Sequence, residues 1–264
     1  VRDTLYADAP KLRRSRWHGR IAAAVLSVRP DDAAALAHHY HQAAATATAR
    51  HAVDAAGRAA EMAQARYAHE TAAELYRQAL HDLDRVPAGQ ARPDPRAAAD
   101  PAGPGADPHL AERLDLLARL SRAQLAAGAT MDSLAARRRA MRLADAAGRS
   151  DLLIRAITAK DLPTPWMTRP YGSVDDELIA LIERALTSTD PVPDPATRCR
   201  LLYSLIIEVA DRDRSARLAD EAQRLAREIG DPMLIGLVLH GWVASVDVEV
   251  GVERVREVGS ELVR

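Results

Sequence analysis

Apolar residues recur at three and four positions along most of the chain, and no segment alternates convincingly between apolar and polar from one residue to the next. The first spacing lines one face of a helix and the second would line one face of a strand, so the pattern predicts an all-α protein. From Lys11 to Val28 the positions Trp17, Ile21, Ala24, Val25 and Val28 form one stripe, and Pro30 ends the segment. Asp31 is expected to cap a second helix over 32–45, with Leu36, His39, Tyr40 and Ala43 at helical spacing. Two further helices, 50–67 and 69–86, carry small Ala56, Ala60 and Ala63 opposite Ala72, Leu75, Tyr76, Ala79 and Leu80, which suits an antiparallel hairpin. From 87 to 107 the text turns to Pro, Gly, Ala, Asp and Arg without apolar period, and this stretch is expected to be a disordered linker.

Beyond it, helix starts are marked by Asp-Pro at Asp107-Pro108, Asp194-Pro195 and Asp231-Pro232, where the carboxylate meets first-turn N–H groups and Pro takes the position whose N–H is unpaired anyway. Gly128, Gly148 and Gly230 suit left-handed helix ends. The helices expected between these signals are 109–127, 131–147, 150–161, 174–187, 196–210, 215–229, 232–246 and 252–263. Leu117 and Leu120 recur as Leu202 and Leu205, and Leu143, Ala144 and Gly148 as Leu225, Ala226 and Gly230, an offset of about 82–85 residues. That is twice a helical-hairpin repeat, so the expected architecture is antiparallel helical hairpins stacked as an α-solenoid, a superhelix with a concave inner face.

Composition sharpens this picture. Of 264 residues 48% are hydrophobic, yet aromatics are 3%, Phe is absent and Ala alone is about a fifth of the chain, which favours helix over strand. A single cysteine, Cys199, rules out an intramolecular disulfide and suits a reducing cytoplasm. A formal net charge of −1 gives no basic excess for binding duplex phosphates, and no apolar run approaches a membrane span, so neither direct nucleic-acid nor membrane partnership is expected. Opening at Val1-Arg2-Asp3 without Met and stopping within a helical pattern at Arg264, the chain reads as a piece of something longer.

Residues 59–87 are similar to a tetratricopeptide repeat: Ala60 falls at the small position of the first helix, and Ala72, Tyr76 and Ala79 at the small, aromatic and small positions of the second. Ala63 stands where the repeat usually has an aromatic, and the Pro expected after the second helix is displaced to Pro87. The order Val1-Arg2-Asp3-Thr4-Leu5-Tyr6, Arg13-Arg14-x-Arg16-x-His18, Leu36-Ala37-His38-His39-Tyr40 and then the Tyr76 hairpin resembles the stretch that follows the nucleotide-binding and winged-helix modules of bacterial STAND ATPase transcriptional regulators, the LuxR-like ATPase and AfsR/SARP groups. Leu201-Leu202 and Glu221-Ala222-x-x-Leu225-Ala226-x-x-x-Gly230-Asp231-Pro232 are similar to their later tetratricopeptide-like array. The resemblance implies that 1–8 is the tail of a winged-helix module, 9–86 the N-terminal hairpins and 108–264 a further hairpin array, truncated at its C-terminus. It also implies a cytoplasmic, non-enzymatic sensor or regulatory arm, whose partners are the regulator's own ATPase and winged helix, a protein or small-molecule effector, or a second copy of the chain. No G-x-x-x-x-G-K-[ST] loop occurs, so no nucleotide or other cofactor is expected on this stretch.

Few residues carry candidate chemistry. His38 and His41, at i and i+3, could share a face and, with His18, a zinc ion, but no acidic or Cys ligand stands at a fixed spacing and packed histidines are the plainer reading. That cluster and the acidic turn Asp175-Asp176-Glu177 are the only basis for an alternative, a helical metal-dependent enzyme; a free-standing tetratricopeptide adaptor is another. Asp175-Asp176-Glu177 lacks the spacing of a magnesium-binding acidic motif and fits a helix first turn capped by Ser173. Cys199 lies between Arg198 and Arg200, which could lower a thiol pKa, but with no nearby His it reads as a small core or surface thiol. Arg137-Arg138-Arg139 and Arg13-Arg14-x-Arg16 read as solvated faces or partner contacts. The Pro-rich stretch 162–171 with Trp166, Met167, Arg169 and Tyr171 combines rigidity with residue types enriched in binding hot spots; Trp166 otherwise plugs a gap between hairpins. Trp242 reads as core.

Overall fold

The structure, a computed structural model, describes residues 9–93, 107–159, 174–245, 256 and 260. Among these the chain is all-α. It builds α1 (Lys11–Val28), α2 (Ala33–Ala43), α3 (Ala49–Ala65), α4 (His69–Leu83), α5 (Leu110–Ala126), α6 (Thr130–Ala146), α7 (Ser150–Thr158), α8 (Asp176–Leu186), α9 (Pro195–Glu208), α10 (Arg212–Ile229) and α11 (Pro232–Ser245), with short 3-10 turns at Thr46–Thr48 and Ala88–Gln90. No helix of the described residues is long and apolar enough to cross a membrane. The chain divides into two compact units, 1–139 and 140–264, with the boundary inside α6.

In the first unit α1 packs on α2, α2 on α3, α3 on α4 and α4 on α5, so each helix meets chiefly its neighbours in sequence. Alanine sets the closeness of the α3/α4 hairpin: Ala52, Ala56 and Ala60 of α3 and Ala72 and Ala79 of α4 are fully buried, and Tyr76 fills the groove they leave. The phenol O–H of Tyr76 donates to Gln64 Oε1 at 2.8 Å, which satisfies the polar end of a buried aromatic. α5 and α6 are joined reciprocally, Ser121 Oγ donating to the Ser133 carbonyl at 3.0 Å and Ser133 Oγ to the Ser121 carbonyl at 2.8 Å.

The turns recur. After α5, Gly128 takes φ +78° and its N–H bonds Leu125 O, while Ala129 N–H reaches back to Gln124 O. After α6, Gly148 (φ +65°) and Arg149 make the same pair of bonds to Asp145 O and Ala144 O, and after α3 it is Tyr67 (φ +59°) and Ala68, to Gln64 O and Ala63 O. This is a Schellman cap, which needs a left-handed residue at its centre. Glycine supplies it freely at two of the turns, whereas Tyr67 supplies it against its own Cβ.

In the second unit α9 is central, touching α7, α8, α10 and α11. Cys199, Leu202 and Ile206 of α9 pack with Ala219, Ala222 and Ala226 of α10 and Leu234, Val238 and Trp242 of α11. Leu202 and Leu205 are buried in α9 as Leu117 and Leu120 are in α5, and Gly230 (φ +74°) ends α10 as Gly148 ends α6. Outer faces are laced by ion pairs, Arg142 to Glu177, Arg184 to Asp145 and Arg198 to Glu221.

Several expectations are corrected. The stripe read on α1 is mostly exposed: Trp17, Ile21 and Val28 are 41%, 42% and 76% exposed, and of its members only Val25 is buried, together with His18 and Ala22 from outside the stripe. The seam with α2 is set by small groups, Ser15 Oγ donating to the Ala43 carbonyl and Gly19 lying beside Ala43, and bulk at Trp17 or Ile21 would hold the two helices apart. Asp32, not Asp31, caps α2, accepting from Ala35 N–H at 3.1 Å, because the chain turns at 30–31 before the first helical residue. Asp175 caps α8 through Leu178 N–H at 3.1 Å. The stretch expected as a disordered linker is ordered at both ends: the Arg92 guanidinium lies 2.8 Å from Asp54, and Asp107 accepts from His109 N–H and Arg113, each at 2.8 Å. Arg92 finds a carboxylate on α3 and Asp107 a guanidinium on α5. The tail 1–8, residues 94–106, Ser173 and most of the expected helix 252–263 lie outside the described residues.

Candidate functional site

The histidines of α2 part company because of helix geometry. The buried stripe of α2 runs through Ala33, Leu36, Ala37, Tyr40 and Ala43, so His39 and His41, two residues apart, fall on opposite flanks of it. His39 leans towards α1, where its Nδ1 lies 2.8 Å from Nδ1 of His18. His38 closes the group, its ring centroid 5.5 Å from that of His18 and 5.0 Å from that of His39. Burial, with the neighbouring His38 and Arg14, holds the His18 pKa below the ordinary imidazole value; burial, His38 and His18 do the same to His39, opposed by Asp32.

His41 leans the other way. Its Nδ1 is 2.8 Å from Oδ1 of Asp82, a fully buried carboxylate on α4 that also takes the Arg85 guanidinium. The expected grouping of His18 with His38 and His41 is therefore corrected: sharing a face of α2 brings two imidazoles together, but α1 arrives on the His39 side. Asp82 went unnoticed in the sequence because its partner is 41 residues away and nothing local marks it.

A second feature lies on the first unit. Leu80 of α4 and Leu117 and Leu120 of α5 floor a shallow groove of about 670 Å³, rimmed by the polar side chains of Arg77, His81, Asp84, Asp132 and Arg139. Its helices come from both sides of 87–107, so only the fold assembles it. Near it, Arg113 bonds Asp84 at 2.6 Å and Asp107 at 2.8 Å, while Arg50 on α3 holds Glu112 of α5 through two bonds at 2.5 and 2.8 Å. Desolvation of Arg50 is outweighed by the hydrogen bond and charge of Glu112, so its pKa rises.

No family model and no curated protein matches this chain.

Cys199 is buried with its Sγ towards the Ala222 carbonyl, and burial pushes its pKa up to about 11, so the flanking Arg198 and Arg200 do not activate it. Trp242 is buried in the core of the second unit, as expected. Asp175, Asp176 and Glu177 form the cap and first turn of α8, with Glu177 engaged by Arg142 at 2.5 and 2.8 Å. Trp166, Met167, Arg169 and Tyr171 lie outside the described residues.

Proposed function

We propose that this chain is a non-catalytic helical-repeat module, its hairpins stacked as a tetratricopeptide-like α-solenoid, serving as the sensor or regulatory arm of a bacterial transcriptional regulator. The observation that carries the reading is the serial packing of the first unit, each helix against its sequence neighbours, with the same Schellman turn after α3, α5 and α6. Such units bury their apolar faces only on neighbours and present extended surfaces to partners rather than closed active-site pockets. The groove over Leu80, Leu117 and Leu120, with its charged rim, has the apolar floor and polar edge of a protein-docking surface. Its partner is a domain of the same regulator, an ATPase or winged-helix module, and the setting is the cytoplasm.

Sequencing the gene on both sides of this stretch is the direct test. A phosphate-loop ATPase and winged helix encoded upstream in the same frame is the expected result, and binding of that module in trans should weaken in a variant carrying Arg77→Glu and Arg139→Glu. A frame without any ATPase module would overturn the regulator reading and leave a free-standing adaptor.

A further inference from the structure

We propose that His18 of α1 with His38 and His39 of α2 forms a binding site for one borderline divalent transition-metal ion, zinc above all. One ring nitrogen from each of the three histidines lies within 4.8 Å of the other two, drawn from two helices rather than one local run. Ligands to a tetrahedral Zn²⁺ at about 2.0–2.1 Å stand about 3.3 Å apart, a separation compatible with the 2.8 Å between the Nδ1 atoms of His18 and His39 and with the 4.8 Å within which all three donor atoms lie. Small side-chain rotations close the triangle.

The surroundings favour this chemistry. A metal-binding imidazole must be neutral, and burial of His18 and His39 among other basic groups favours the neutral form. The two helices are pinned at the site, Ser15 bonding the Ala43 carbonyl beside the close approach of Gly19, so the ligands are held by backbone rather than by loops. All three donors are nitrogen and the one cysteine lies in the other unit, which selects Zn²⁺, Co²⁺, Ni²⁺ or Cu²⁺ over the oxygen-seeking Ca²⁺ and Mg²⁺. Burial is graded, from buried His18 through half-buried His39 to exposed His38, so the ion reaches the site past His38 and water completes its coordination there. Of the charged groups that act on the cluster, Arg14 disfavours a cation and Asp32 favours it.

The test uses the untagged full chain, stripped with a chelator and titrated calorimetrically with Zn²⁺, with Co²⁺ absorption as a second readout. One equivalent is expected to bind with a Kd of about 10 μM or tighter, and Co²⁺ to give the d–d bands of a low-coordinate nitrogen site. His39→Ala should weaken binding at least about tenfold. His38→Ala should do the same, and because His38 is exposed this variant keeps the fold, which circular dichroism checks. His41→Ala should leave binding intact, since His41 faces Asp82. Absence of saturable binding at 100 μM Zn²⁺, or binding that survives both the His38 and His39 changes, would overturn the proposal; so would loss of binding in His41→Ala.

Discussion

Replacing Asp82 by Ala probes the deepest polar link of the first unit. The carboxylate is 0% exposed and ties α4 to α2 through His41 at 2.8 Å, while also holding Arg85 in the turn just after the end of α4. Removing one partner of a fully buried pair costs about 3–5 kcal/mol, because the other charge is left without compensation. Here His41 and Arg85 keep 29% and 22% of their side-chain surface in contact with solvent, so both can turn to water, and the expected loss falls to about 2–3 kcal/mol. For a chain of this size that corresponds to a drop in Tm of about 4–12 °C. Asp82→Asn keeps an oxygen acceptor for His41 but loses the charge, and should cost about half as much. His41→Ala leaves Asp82 bonded to Arg85 and should fall between the parent and Asp82→Ala. Urea unfolding followed by circular dichroism reads the effect as a lower midpoint with an unchanged m-value. If Asp82→Ala lay within about 0.5 kcal/mol of the parent, the range of ordinary surface changes, the link would not be energetically real and the reasoning would fail.

Three further outcomes are expected. Tyr67→Gly relieves a left-handed residue that is 84% exposed, so it should raise stability by about 0.5 kcal/mol despite glycine's greater freedom when unfolded, and a loss of that size in thermal melts would contradict the strain argument. Gly241→Ala would put a Cβ 2.9 Å from Cδ2 of Tyr203, which is 1% exposed, so overpacking of about 1–3 kcal/mol should outweigh the gain in helix propensity of about 1 kcal/mol; a melt above the parent's would refute it. Asp194 caps α9 through Ala196 N–H, Thr197 N–H and Thr197 Oγ1, and these bonds, that from the Thr197 side chain first, hold its pKa below the ordinary carboxylate value. Its contribution is therefore complete above about pH 4, the unfolded value, and lost as pH falls through the folded one: Asp194→Ala should cost about 1 kcal/mol at neutral pH, with the two stability curves converging in acid, and curves that stayed parallel would refute the assignment.

Much of the fold was legible because its signals are local. Asp194-Pro195 at the start of α9 and Gly128, Gly148 and Gly230 at helix ends act within one turn, and the structure places each where the spacing put it. Errors arise where the outcome depends on which neighbour a helix meets. Trp17 and Ile21 obey helical period perfectly, but period identifies a stripe without saying what covers it, and Ser15, Gly19 and Ala22 offered α2 the closer approach. The histidines fail for the same reason: spacing on α2 cannot show that α1 comes to His39 or that α4 brings Asp82 to His41. Likewise, nothing local says that Arg92 would find Asp54, so the start of the stretch read as linker is anchored without any sign of it in the sequence.

Small-angle X-ray scattering of the purified chain tests the stacked array most directly. A compact globule of 264 residues has a radius of gyration of about 18 Å. Hairpins stacked as a superhelix predict a folded particle with a radius above about 22 Å and an elongated pair-distance profile, whereas a symmetric profile at about 18 Å would contradict it.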